Sequence, residues 1–270
     1  MTMRLVAAGA AIATLGLSGT AGATVYPTSP TPIELRAAMY TQDFNTLAST
    51  GSTGTALPEG WQVSENGSNA NTNYAVGTGS SNSGNVYSFG STGSSDRALG
   101  SVTSGNLQPA YYGALFTNAL ESTIGSLTIG YTGEQWRRGD SATDGLTFQY
   151  RLGGGSIDTG TWISVAALAF TSPARGATVG ALNGNDAANR TVFNGVTIAN
   201  LSIVSGATFA IRWADLDAEN ADDGLAIDDV SVAAAPVSAV PEPASWALML
   251  TGFALTGTML RRRRAAIIVA

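Results

Sequence analysis

Seven carboxylates crowd into residues 215–229: Asp215, Asp217, Glu219, Asp222, Asp223, Asp228 and Asp229. The spacing of two between Asp215, Asp217 and Glu219 is that of alternating oxygen ligands in a calcium loop. With Asp222 and Asp223 they form a candidate metal set, and Ca2+ is the one cofactor they suggest. The EF-hand pattern itself fails, because Asn220 stands where its glycine belongs and Ala226 where its glutamate belongs. A solvated acidic loop that ends a strand is the plainer reading and outweighs the metal. Asp228 and Asp229 break the apolar alternation between Ile227 and Val230, which predicts a β-bulge there. At least one of the two then faces inward and needs a partner, for which Arg212 is the candidate.

A second cluster, Glu134-Gln135-Trp136-Arg137-Arg138, sets an aromatic among charges. An exposed Trp136 in such company suits a sugar ring, so it is a candidate ligand-binding residue. The competing reading, Trp136 in the core with an arginine pairing a carboxylate on an adjacent strand, is preferred. The inventory for catalysis is poor. Histidine and cysteine are absent, and every basic residue is arginine. Serine therefore lacks its ordinary general base, and His/Cys zinc sites are excluded. Paired carboxylates hydrolyse glycosides, but here most acids fall in one loop, so the chain reads as non-catalytic. The glycines at 153–155 lack the lysine and following helix of a phosphate cradle.

The elements that must carry these residues are strands. Leu146, Phe148 and Tyr150 alternate with Thr147, Gln149 and Arg151, and Phe209, Ile211 and Trp213 alternate with Ala210 and Arg212. Leu127, Ile129 and Tyr131 share one face. This period of two marks strands with one apolar and one solvated side. Further strands are expected at 61–63, 86–89, 98–102, 162–165, 192–198 and 225–232. Between the early ones lie Gly/Ser/Thr/Asn-rich stretches at 49–55, 64–73 and 77–85, read as loops of a β-domain because aromatics recur between them. No helix of three turns is expected outside the two terminal apolar segments. Many short strands with Gly-rich turns indicate an all-β antiparallel sandwich or jelly roll.

The two ends define the rest. Residues 1–23 read as a signal peptide: Arg4, an apolar run over 5–17, then Ala21-Gly22-Ala23 as a cleavage site. Residues 24–39, with Pro27, Pro30 and Pro32, read as a linker, 40–235 as the sandwich and 236–243 as a second linker. Residues 244–260 carry no charge and sit at the short end of the roughly 17–25 residues that cross a bilayer, so they are expected to form a transmembrane helix. A basic tail, 261–270, follows it. Arg261, Arg262, Arg263 and Arg264 place that end in the cytoplasm. Of 13 basic residues, Arg4 and the four terminal arginines fall in these ends, and of 19 acidic residues only Glu242 does, which leaves the exported part at about −10. Such a charge opposes binding to nucleic acid.

Val240-Pro241-Glu242-Pro243, an apolar segment and an arginine cluster, in that order over 240–264, resemble the PEP-CTERM sorting signal of Gram-negative bacteria. The same tail is also called the ice-binding protein C-terminal domain, a name that need not imply ice binding. The resemblance implies processing by an exosortase, transient anchoring in the inner membrane by the C-terminal helix, and release to a cell surface or extracellular matrix rich in exopolysaccharide. The stretches FNTLAST…LPEGW, YTGEQWRRG and RWADLDAENADDGLAIDDVSV resemble a domain type of exported bacterial proteins, and the closing GLAIDDVSV resembles the last strand of carbohydrate-binding and adhesin-like jelly rolls. Similar domains stand beside varied modules, so the resemblance implies no activity. The expected function is that of a structural or adhesive surface module without catalysis. A calcium-dependent carbohydrate-binding module is the alternative, and a glycoside-active enzyme the less favoured one.

Overall fold

The structure, a computed structural model, describes residues 22–140, 143–237 and 243–267, with side chains in the last segment from 246 to 261. In chain order the strands are β1 (Thr24–Tyr26), β2 (Ile33–Leu35), β3 (Met39–Gln42), β4 (Thr53–Gly54), β5 (Trp61–Glu65) and β6 (Tyr74–Gly77). Next come β7 (Asn85–Phe89), β8 (Ala98–Val102), β9 (Ala110–Asn118), β10 (Ile124–Arg138), β11 (Gly145–Leu152) and β12 (Ile163–Ser164). The last are β13 (Phe170–Thr171), β14 (Gly180–Ala181), β15 (Arg190–Ile198), β16 (Thr208–Asp215) and β17 (Gly224–Pro236).

They form two sheets. Sheet A has the order β1-β5-β9-β16-β11-β12, with β13 on β11 and β2 on β9. Sheet B runs β14-β10-β17-β8-β7-β6-β4, with β15 on β10 and β3 on β17. The expected sandwich is present. Its pairing is mixed where the sequence predicts only antiparallel neighbours, since β2 lies parallel to β9 and β6 parallel to β7.

Period-two patterning places the core. Tyr112, Ala114 and Phe116 of β9, Ile211 and Trp213 of β16 and Phe148 of β11 are buried in one cluster with Leu127, Ile129 and Tyr131 of β10 and Ile227, Val230 and Val232 of β17. Trp213 sits at its centre, edge-on to Phe148 at 5.2 Å and to Tyr131 at 5.1 Å. A smaller cluster joins Tyr87, Phe89, Ala98, Val102, Trp136 and Ala226. The bulge expected at Asp228 and Asp229 is there: Gly130 faces Ser231 and Thr132 faces Asp228, so β17 carries one extra residue, and Asp229 takes φ +49°.

Two expectations about the ends are corrected. Residues 24–39 are not a loose linker. Ile33 and Leu35 alternate with Glu34 and bury against the core, and β1 pairs with β5. The C-terminal segment is helical, α1 (Pro243–Ile267), but no helix among the described residues is long and apolar enough to cross a membrane. At about 1.5 Å per residue, 244–260 covers roughly 25 Å against a hydrocarbon core of about 30 Å. Thr251, Gly252, Thr256, Gly257 and Thr258 dilute its apolar character, and Arg261 ends it. The signal-peptide residues 1–21 and Val240, Pro241 and Glu242 of the sorting motif lie outside the described residues. Pro243 opens α1; of the four arginines Arg261 is exposed, and Arg262, Arg263 and Arg264 continue the helix.

Candidate functional site

The outward face of sheet A assembles an aromatic–arginine platform. Because Tyr112 and Ala114 point into the core, Tyr111 and Gly113 point out, and on β16 Arg212 points out between Ile211 and Trp213. The register sets Arg212 opposite Gly113 on one side and Gln149 on the other. Gly113 is required by this packing, since an added Cβ would land on the Ile211 carbonyl and on Arg212. The chain leaving β11 turns through Gly153 (φ +99°), Gly155 (φ +113°) and Gly160 (φ +83°) and returns over the sheet. Two arginines hold it there. Arg212 donates from Nη1 to Ile157 O at 2.6 Å, and Arg151 from Nη1 to Thr159 O at 2.6 Å.

This return brings Trp162 onto the platform. The Arg212 guanidinium lies 4.2 Å from the Trp162 ring centroid and 3.9 Å from that of Tyr111. Arg151 lies 4.8 Å from Trp162, whose Nε1 donates to Thr159 O at 2.9 Å. Arg212 also donates from Nε to Gln149 Oε1 at 2.7 Å. Burial pushes its pKa down to about 10, with the charge of Arg151 adding to the fall and Tyr111 opposing it, so it is still a cation at neutral pH. Trp162 and Tyr111 are half-buried. Fixed aromatic rings beside amide and guanidinium donors suit binding rather than bond-breaking. The sequence signal for this site was weak: Arg212 is visible as an outward residue on β16 and as a candidate partner for Asp228 or Asp229, neither of which points to Tyr111, and Trp162 arrives by way of a glycine loop.

The acidic residues do not converge as a calcium loop. Among the described residues no group of three or more acidic side chains is arranged to hold a metal ion. Asp217 and Glu219 stay toward solvent while Asp215, Asp222 and Asp223 are buried. Asp217 accepts from Gln108 Nε2 at 3.0 Å, and Asp222 accepts from the Ala218 amide at 2.7 Å. Asp223 accepts from Gly139 N at 2.6 Å, Gln135 Nε2 at 2.9 Å and Arg138 Nη1 at 3.3 Å, so the expected pairing of an arginine from the 134–138 cluster with a carboxylate is made. Asp215 is fully buried, and Ser101 Oγ donates to its Oδ2 at 2.5 Å. Asp144, which the sequence did not single out, joins them: it accepts from the Asp223 amide at 2.9 Å. Burial raises Asp144 to about 7 and Asp222 to about 6, and lifts Asp215 well above the usual carboxylate range with Asp144's charge adding to it.

Trp136 is 1 % exposed, stacked on Phe89 at 6.2 Å, and donates from Nε1 to Glu134 Oε2 at 2.8 Å. It belongs to the smaller core and offers no face to a ligand, which corrects its candidacy. Asp228 is buried and accepts from the Asp229 amide at 2.7 Å. Arg212, its expected partner, lies in the other sheet. Burial lifts Asp228 to about 9 and Glu134 to about 7. These two interacting carboxyls are thus packed away from water and do not face each other across an open cleft. Asp229 is exposed on a groove of about 580 Å3 that also contains Asp43 and Gln42.

No family model and no curated protein matches this chain. Among solved structures it is similar to a CBM61 module in complex with beta-1,4-galactotriose, at 12 % identity and a TM-score of 0.32, over 65 % of this chain and 88 % of that one. It is also similar to the CBM22-1 xylan-binding domain of Xyn10C from Paenibacillus barcinonensis, at 12 % identity and a TM-score of 0.33, over 74 % of this chain and 95 % of that one.

Proposed function

We propose that this chain is an exported, non-catalytic surface or matrix protein whose sandwich adheres to polysaccharide. Its C-terminal tail acts as a sorting signal read by an exosortase-like enzyme at the inner membrane. The observation that carries the adhesive part is the Tyr111–Arg212–Trp162 stack. A sugar ring presents C–H groups on its faces and hydroxyls at its rim. The ring faces of Trp162 and Tyr111 turned away from Arg212 take the first and Gln149 takes the second, while the buried guanidiniums of Arg212 and Arg151 hold the rings in place. The stack is fixed in advance by strand register and by the Arg212 hydrogen bonds, so little ordering is lost on binding.

The test is affinity electrophoresis or calorimetry of the folded protein against exopolysaccharide from an exosortase-bearing host, with Trp162→Ala beside the wild type. Wild type is expected to be retarded, and Trp162→Ala to lose at least about 1 kcal/mol of binding, a fivefold or greater weakening. Equal retardation of the two proteins, or none of either, would sink the adhesive reading.

A further inference from the structure

Arg97 is 2 % exposed. Its Nε donates to Ser88 Oγ at 2.9 Å, and its Nη2 donates to the carbonyls of Ser88 and Gly77. Its Nη1 has no acceptor among the described residues. Gly90 makes room for that nitrogen, since an added Cβ there would collide with it. A buried cation ordinarily has a carboxylate against it, yet among the described residues the ion pairs are Arg36–Glu34 and Arg138–Asp223. The neighbouring Asp96 is exposed and accepts from Asn185 Nδ2 at 2.8 Å.

Arg97 stands in the wall of a polar pocket of about 220 Å3. The other walls include Ser49, Thr78, Ser80, Ser91 and Thr92, and none of the lining residues is acidic in a chain with 19 acidic residues. Three separate Ser/Gly/Thr stretches build it, around 49–51, 77–80 and 91–93. Two of these are low-complexity loops the sequence presented as mere connections. Gly51, Gly79 and Gly93 each adopt positive φ, near +80°, which turns the three loops sharply around the pocket. Hydroxyl donors around a guanidinium that makes no ion pair among the described residues, with Asp96 beside it turned to Asn185 and no carboxylate in the pocket wall, make the chemistry of an oxyanion site.

We propose that this pocket binds a single oxyanion, a carboxylate or a sulfate, carried by an acidic polysaccharide. The polysaccharide part rests on the adhesive reading above. The pocket lies on the β6–β7–β8 side of sheet B, whereas the Trp162 platform is on sheet A, so the two are separate contacts. In a protein of net charge −6 a single cationic pocket gives little general attraction to polyanions. Recognition there depends on one group entering the pocket, not on a long basic track.

The test uses the full chain with three probes at matched ionic strength: inorganic sulfate, an oligogalacturonate, and a neutral oligogalactan of the same length. Thermal shift and calorimetry are read on the wild type and on Thr92→Glu, which puts a carboxylate at an exposed position of the wall that Arg97 also lines. At least one of sulfate and oligogalacturonate is expected to raise the melting temperature. The charged oligomer should bind at least about tenfold more tightly than the neutral one. Thr92→Glu is expected to abolish the response to both anions while its unliganded melting temperature is unchanged or higher, and Ser91→Asp should act the same way. Which anion competes better identifies carboxylate or sulfate as the natural group. No response to either anion, or full binding by both charge-inserted variants, overturns the proposal. No response to either anion, together with binding of the neutral oligomer that Trp162→Ala removes, leaves the adhesive reading standing without this one. A sulfate response lost in Thr92→Glu, with no saccharide bound, leaves the pocket standing and removes the adhesive reading.

Discussion

Asp215 ends β16 with its side chain turned into the sandwich, where Oδ2 accepts from Ser101 and Oδ1 is buried without a partner. It belongs to a group of carboxyls that folding pushes upward: Asp222 to about 6, Glu65, Glu134 and Asp144 to about 7, and Asp228 to about 9. Burial is the leading cause in each, because removing a carboxylate from water penalises its charged form. A raised carboxyl keeps its proton in the folded chain at a pH where the unfolded chain has released it. The stabilisation is complete below the unfolded value near 4 and is lost as pH rises through about 6 to 9. The melting temperature is therefore expected to fall between pH 5 and pH 9, and Asp215→Asn, which removes one of these carboxyls, to make the fall shallower. A flat or rising profile in thermal melts would count against the arrangement. The carboxylates were legible by type, and their spacing suggested a calcium loop. Strand parity sent Asp215 inward with Trp213, and because β16 ends at Asp215, Asp217, which the same parity would have buried, lies in the loop beyond the strand.

At the scale of elements, β9 and β16 position the platform. They approach so closely at Gly113 that any side chain there meets the backbone of β16. Gly113→Ala is expected to destabilise the fold by about 1–3 kcal/mol, the range for overpacking, and to weaken saccharide binding by displacing Arg212; chemical denaturation measures the first and the affinity assay above the second. An unchanged denaturation midpoint would contradict the tight β9–β16 contact. The long strands and the bulge at Asp228–Asp229 were legible, since a broken alternation in an apolar strand has few other meanings. The parallel pairing of β2 and β6 was not. Both strands have four residues or fewer, too short for a hydrophobic period to declare itself, and their partners lie far along the chain for β2. The core position of Trp136 was the preferred expectation, and its reason appeared only with the smaller cluster that joins β7, β8, β10 and β17.

For the molecule as a whole, the sandwich and the tail carry separate tasks in the proposed function. α1 exposes Leu248, Leu250, Phe253, Leu255 and Leu260. Replacing Pro241-Glu242-Pro243 by alanines in an exosortase-bearing host is expected to leave the tail uncleaved and to reduce delivery of the protein to the surface, read by the mass of the mature chain and by fractionation. Unchanged processing would remove the sorting role while leaving the sandwich's chemistry intact.

The sequence by itself determined the β class, the main strands, the bulge and the poverty of catalytic groups. These depend on local period and on residue type, which one chain displays directly. Only the tertiary structure decided that residues 24–39 join the sheets, that the acidic run is divided between core and solvent, and that Tyr111, Arg212 and Trp162 meet. It also decided that distant Ser/Gly loops surround Arg97. Each of these depends on which strand lies beside which, a choice made by side-chain packing across the whole core, and no local stretch of sequence carries it.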